Sequence, residues 1–432
     1  MRKTVHKIIN SEFLRNLFTL VSATSVAQAI ALAIYPVLTR IYTPAEHGLF
    51  ALYMSIVAIT GIISTGKYEL AVMIPKNEKE GRGLIGLSII LSFLFSLILL
   101  IFIFFFKEKI PQWLGNPDIE TWLYFIPLST FMVAFFQTLN YWNNRKKQYK
   151  AIATANLGQS LVNSTVKLST SSAISAGGGL ITGAISGQFA GMLIYLQRLL
   201  KRDWKSLTET SFTDLKAVAK KFSFFPRYNM LHYLTNNFSS NLPVFIFSSW
   251  FSSTEVGLYS LGFLMINRPM NLITTSLTQV FSQRVIEKHN KKQSIKPDVM
   301  KLINRLFLIS VIPFIVVGIF GPSVYSFVFG SEWLDAGKYM RLLLPWLFLV
   351  FLSSPLSFLP DMLSFQKKAM WIDIVKFLLR ILALSIGVIM NDIYLSIALF
   401  SGISFILVLY TLFWYLNLSA KADENMNLKT TG

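Results

Sequence analysis

The chain has no cysteine and only four histidines in 432 residues. Without cysteine there are no disulfides, no thiolate nucleophile and no thiolate-bound metal. His6, His47, His232 and His289 are too scattered to form a metal-binding spacing such as H-E-x-x-H, so no metal site is expected. Phosphate-cradling motifs of the G-x-x-x-x-G-K-[ST] type are missing as well. Charge is scarce: Asp, Glu, Lys and Arg together make up 14% of the chain. Outside the apolar runs no stretch exceeds roughly 25 residues, too few to fold a catalytic or nucleotide-binding domain. These absences argue against an enzyme and against a resident cofactor.

What remains is hydrophobic. Apolar residues form 53% of the sequence, 37 of them Phe, and the mean hydropathy is +0.53. A run of about 18 or more apolar residues can cross a hydrocarbon core roughly 30 Å thick as a helix, and such runs recur along the chain. Twelve are expected. In the first half they cover Leu17–Leu38, Gly48–Thr65, Gly83–Phe106, Glu120–Asn140, Ala151–Ile174 and Leu180–Leu199. Phe222–Trp250, Glu255–Val280, Lys301–Phe320, Tyr339–Pro360, Trp371–Met390 and Ile393–Tyr415 complete the set. The fold class is therefore all-α, a polytopic membrane protein.

Most of the 40 Lys and Arg fall in the N-terminus, in alternate loops and in the C-terminal tail, and few fall in the opposite loops. Cytoplasmic loops hold such an excess, so both termini are expected in the cytoplasm. The same distribution explains the net charge of +19 without nucleic acid: the basic residues sit beside anionic lipid headgroups. Met1–Asn10 is basic, but the span after it is too long for a signal peptide and lacks an A-x-A site, so the segment is expected to be retained.

One phrase occurs twice. EHGLFALY, Glu46–Tyr53, returns as EVGLYSLG, Glu255–Gly262. The copies open the second and eighth spans, and an even offset of six spans gives the halves the same orientation, a parallel repeat. LGNPDIETWLYFIP against FGSEWLDAGKYMRLLLP, and NNRKKQYKAI against LSFQKKAMWI, repeat in the same order. The expected organisation is a bundle over 1–200, a basic connector over 201–221, a second bundle over 222–416 and a cytoplasmic tail over 417–432.

With these phrases the sequence resembles the Wzx-type polysaccharide flippases of the multidrug and oligosaccharidyl-lipid exporter superfamily. The resemblance lies in Pro36–Ile56, Gly66–Lys76 (GKYELAVMIPK), Tyr141–Lys150 (YWNNRKKQYK), Glu255–Met270, Thr278–Arg284 and Phe329–Arg341. It implies two six-helix bundles around a central cavity in the bacterial inner membrane. It also implies a substrate, an undecaprenyl-pyrophosphate-linked oligosaccharide unit carried from the inner to the outer leaflet for a polymer such as O-antigen, capsule or lipopolysaccharide. Membrane lipids and the polysaccharide polymerase machinery are the expected partners. A drug exporter of the same superfamily, a membrane polysaccharide polymerase and a flippase for the peptidoglycan precursor are the rival readings.

Ionisable residues deep in a membrane need a wet cavity, a partner or a function, because insertion costs at least about 2.5 kcal/mol each. Arg268 lies roughly 20 Å along its span from the outer face, and Arg380 comes near the midplane from the inner side. Each offers a permanent charge and a planar fork of donors suited to pyrophosphate. Asp373 and Lys376 share the helix of Arg380 and could tie it into a structural network. Lys67, Lys167, Arg227, Arg305 and Arg341 read as interfacial anchors. Lys67 and Glu69 are also candidates for a cavity wall or gate. The seventh span is rich in amides, with Asn236, Asn237 and Asn241, and the first carries Ser22, Thr24, Ser25 and Gln28. Pro36 and Pro243 interrupt these two spans, which are expected to line the cavity and bend during alternating access. Coupling to Na+ or H+ would need an intramembrane carboxylate, and Glu69 and Asp373 are the candidates.

Overall fold

The computed structural model describes residues 25–171, 177–202 and 210–428. Ser22, Thr24, the basic Met1–Asn10 segment, part of the connector and the last four residues of the tail lie outside them. Among the described residues every regular element is helical. In chain order they include α1 (Ser25–Ile41), α2 (Pro44–Thr65), α3 (Glu78–Phe106), α4 (Phe125–Arg145), α5 (Tyr149–Ser169) and α6 (Gly178–Arg202). A short α7 (Phe212–Lys221) precedes α8 (Met230–Trp250), α9 (Ser253–Asn290), α10 (Lys296–Phe329), α11 (Leu334–Ser353), α12 (Gln366–Ile389) and α13 (Ile393–Leu428).

Within the described residues, helix covers much of each of the stretches expected to span. Among the described residues, six segments are by length and composition long and apolar enough to cross a membrane: α2, α3, α6, α10, α13, and α11 with its flanking turns. The chain is a multi-pass membrane protein. Several boundaries move. α5 stops at Ser169, short of Ile174, and α9 runs 38 residues to Asn290, about 57 Å at 1.5 Å per residue. α13 continues through Leu428, so most of the expected tail is helix.

Contacts divide the chain into two units, Met1–Thr254 and Glu255–Gly432. α8, expected at the head of the second bundle, therefore packs with the first unit. Its polar face gives the reason: the Ser55 hydroxyl of α2 donates to Asn241 Oδ1 at 2.9 Å. In the same unit, α5 and α6 approach closely along Gly179, Gly183, Gly187 and Gly191. A Cβ added to Gly187 would stand 2.8 Å from the Gln159 carbonyl, so only glycine allows this spacing.

The repeated phrase buries matching positions in both copies. Leu49 and Leu52 are 2% and 0% exposed, and Leu258 and Leu261 are 5% and 2%. Glu46 completes a capping box with Thr43 and accepts the Gly177 N–H at 2.7 Å. Its counterpart Glu255 accepts from the Tyr339 hydroxyl.

α3 and α10 are the least covered of the apolar spans. α3 turns Phe93, Ile98, Ile101, Phe104 and Phe105 outward, and α10 turns Leu308, Ile309, Ile312 and Phe327 outward. Apolar side chains on this scale belong against lipid. The connector is folded as well: α7 begins with a capping box from Ser211 and Asp214, and buries Val218 against Gly83. Lys79 meets Asp214 at 3.0 Å and Lys221 meets Glu80 at 2.6 Å, which moors α7 to the start of α3.

In the second unit the C-terminal helix reaches back to the loop before α10. The Asp423 carboxylate accepts the backbone N–H groups of Ile295 at 2.8 Å and Lys296 at 3.0 Å, together with the Ser294 hydroxyl. These donors open α10 and would otherwise lack partners.

Candidate functional site

The first unit contains a cavity of about 560 Å³, bounded by α2, α4 and α8. One wall is apolar: Met54, Val57, Ala58 and Gly61 follow one another on α2 at i, i+3, i+4 and i+7. The facing wall repeats that spacing with polar groups, Gln137, Asn140, Tyr141 and Asn144 of α4. α8 adds Tyr233 and Asn237 one turn apart, and the turn after α2 adds Lys67. The amides of Gln137, Asn140 and Asn144 make no side-chain hydrogen bond to any described residue, so each can offer both a donor and an acceptor. Asn237 spends one N–H on the Tyr233 carbonyl at 3.0 Å. Volumes of roughly 300–1,000 Å³ with mixed walls suit small organic groups.

Lys67 is held unusually. Gly66 and Lys67 both adopt left-handed backbone angles, φ 57° and 61°, which reverse the chain after α2. A non-glycine residue persists there only where its surroundings fix it. The ammonium stands 3.1 Å from Glu69 Oε1 and 4.7 Å from the Tyr233 ring centroid. Glu69 is fully buried behind it and does not line the cavity. Of the two expectations for Lys67, headgroup anchor and cavity wall, the structure places it in a cavity wall, with its ammonium turned to Glu69 and Tyr233. Lys167, 6% exposed with its ammonium 4.2 Å from the Phe50 ring, is likewise no anchor.

The second unit has a smaller polar groove of about 320 Å³. Asn271, Thr275, Thr278 and Ser282 of α9 face it, with Ser354 and Ser357 opposite. Thr275, Thr278 and Ser282 donate to carbonyls of their own helix, which leaves lone pairs for a ligand. Arg268 lies three residues before Asn271, half-buried, with no ion pair or hydrogen bond to a described residue. Its donors would complement that row of acceptors.

The other expected site residues are distributed as follows. Arg380 is committed to the protein: it is 8% exposed, lies 5.1 Å from the Trp346 ring and 5.3 Å from Phe400, and its Nε donates to Ser404 Oγ at 2.9 Å. Ligand contact through it is replaced by a cation–π role. Asn237 lines the first-unit cavity, Asn241 is bound to Ser55, and Asn236 is exposed outside it. Gln28 is half-buried on α1 and does not line the cavity, and none of the described residues of the first span does. Asp373, partly exposed, pairs with Lys376 at 3.2 Å. Pro36 opens the segment Tyr35–Ile41 after a break at Ile34, whereas Pro243 is buried within a continuous α8.

Gln137, Asn140, Tyr141 and Asn144 are absent from the expected site. Their signal was in the sequence, as polar residues at one helical spacing in an otherwise apolar run.

A family described as polysaccharide biosynthesis protein matches residues 37–338, a stretch that includes every wall of the first-unit cavity. The chain belongs to this family. No curated protein matches the sequence of this polysaccharide biosynthesis family member significantly. Among solved structures, it is similar to the lipid II flippase MurJ in an inward closed conformation, at TM-score 0.72 and 12% identity over 94% of this chain and 90% of that one. A MATE structure in a bent conformation aligns at TM-score 0.62 and 15% identity over 98% of both chains. An inward-facing multidrug resistance MATE family transporter of the MOP superfamily aligns at TM-score 0.60 and 15% identity, covering 96% and 97%. The polysaccharide biosynthesis protein therefore has the fold of these proteins.

Proposed function

We propose that the protein is a flippase of the bacterial inner membrane, moving undecaprenyl-pyrophosphate-linked oligosaccharide units from the inner to the outer leaflet for surface polysaccharide synthesis. The observation that carries this reading is the amide-lined cavity inside a multi-pass member of a polysaccharide biosynthesis family. The uncommitted amides of Gln137, Asn140 and Asn144 on one wall suit sugar hydroxyls, and the apolar wall suits sugar C–H faces. The second unit would receive the pyrophosphate at Arg268, whose fork of donors has no other partner among the described residues. Movement would follow alternating access, with Na+, H+ or removal of the external product as the driving force.

A drug exporter for cationic compounds is less well supported, because among the described residues no carboxylate lines either cavity. A polymerase has no support from either cavity, since neither presents a nucleophile with an adjacent base.

The test uses a strain that lacks the gene in a host whose surface polysaccharide is known. Lipid-linked units should stay protected from external glycosidase in spheroplasts, become exposed with the wild-type gene, and stay protected with a well-expressed Arg268→Ala copy. Units that are exposed but unpolymerised without the gene would place the protein after translocation and end this reading.

A further inference from the structure

We infer that the first-unit cavity selects uncharged sugars, and that Glu69 sets this selectivity by cancelling the charge of Lys67 from behind the wall. The inference rests on the reading that this cavity holds the saccharide.

Among the described residues, Lys67 is the one charged side chain lining the cavity. Alone, it would make a half-enclosed, low-dielectric space cationic and favour uronates or phosphates. Glu69 removes that bias. It is fully buried, its carboxylate is 3.1 Å from the ammonium, and Lys67 is its only partner among the described residues. Lys67 as a whole is only 6% exposed, and its ammonium is flanked by the Tyr233 ring at 4.7 Å. The pair therefore faces the cavity as a neutral dipole with little room to turn, since the left-handed turn at Gly66 and Lys67 fixes its base.

What the cavity offers a ligand is hydrogen bonds. Gln137, Asn140 and Asn144 present uncommitted amides, and each can serve a hydroxyl or an N-acetyl group. An acidic sugar entering there would lose hydration, find no net positive charge to replace it, and feel the buried Glu69 carboxylate. Rejection of that sugar is specificity by an unfavourable alternative, with no need for tighter binding of the neutral one. The location of Glu69 explains why the device is not visible from the lining residues alone.

The test compares two disaccharides on the full-length protein in lipid nanodiscs by saturation-transfer NMR titration: neutral di-N-acetylchitobiose and the glucuronate-bearing hyaluronan disaccharide. Wild type should bind the neutral probe at least fivefold more tightly. Glu69→Gln, which frees the ammonium, should raise affinity for the acidic probe about tenfold and leave the neutral one within twofold. The double variant Lys67→Met/Glu69→Gln should restore the wild-type preference. Equal binding of the two probes by wild type overturns the inference whether or not the variants fold. An unchanged ratio in folded Glu69→Gln overturns it too. Binding of neither probe would instead remove the saccharide reading of the cavity on which the inference stands.

Discussion

The Arg380 guanidinium lies 5.1 Å from the centroid of the Trp346 ring, with Phe400 at 5.3 Å from the same group. A charge that would be costly near the middle of a membrane is thus stabilised inside one unit by π faces and the Ser404 hydroxyl. Removing it should act on stability. Arg380→Ala is expected to cost about 2 kcal/mol or more, from lost cation–π and hydrogen-bond contacts. Thermal unfolding of the purified protein would show the drop. Binding of the neutral disaccharide in the first unit should be unaffected in the fraction that stays folded, and a selective loss of that binding would contradict the structural role.

Asp214 gives the connector a dependence on pH. Hydrogen bonds from Lys79 and Ser211 hold its carboxyl below the usual carboxylate range. A group whose pKa is depressed by folding stabilises the folded arrangement above its ordinary pKa, and this contribution is lost as pH falls through the depressed value. Attachment of α7 to α3 should therefore be constant at neutral pH and loosen in acid. Protection from hydrogen exchange over residues 212–221, measured against the intrinsic rate at each pH, should fall below the ordinary Asp range in wild type. Asp214→Asn should exchange faster at neutral pH and lose most of that acid response.

Two glycines make a paired prediction. A Cβ on Gly387 would stand 2.3 Å from the Ser396 backbone, where α12 meets α13, while one on Gly402 would meet nothing within 4 Å. Gly387→Ala should force the helices apart at a cost of about 1–3 kcal/mol, the range for overpacking. Gly402→Ala should be neutral or stabilising by up to about 1 kcal/mol, because alanine favours helix. Melting temperatures measured side by side decide the matter, and equal shifts would refute the close approach of α12 and α13.

Much of the helical layout was legible because apolar runs of membrane length leave few alternatives. The repeated phrase was informative too, since Leu49, Leu52, Leu258 and Leu261 are all buried. Partners were harder to read. Arg380 and Arg268 look alike in sequence, and only tertiary packing shows that one faces Trp346 while the other has no partner among the described residues. Asn241 and Asn237 lie one turn apart, yet Ser55 claims the first and the cavity receives the second. Gln137, Asn140 and Asn144 share one helical face, but they run straight into the basic stretch Arg145–Lys150, so their polarity merges in sequence with that of the loop. The grouping of α8 with the first unit reflects its packing along α2, marked by a hydrogen bond across 186 residues, which no local pattern encodes.

The Asp423 carboxylate that closes the start of α10 follows Ile295 by 128 residues. A ribosome makes the donors long before the acceptor, so on a nascent chain the amides of Ile295 and Lys296 must rely on water or headgroups while α11, α12 and α13 are still being inserted. The second unit is thus secured at the loop before α10 by a group made only after α11, α12 and most of α13, and a chain cut short before Asp423 would form its earlier helices yet leave α10 unfastened.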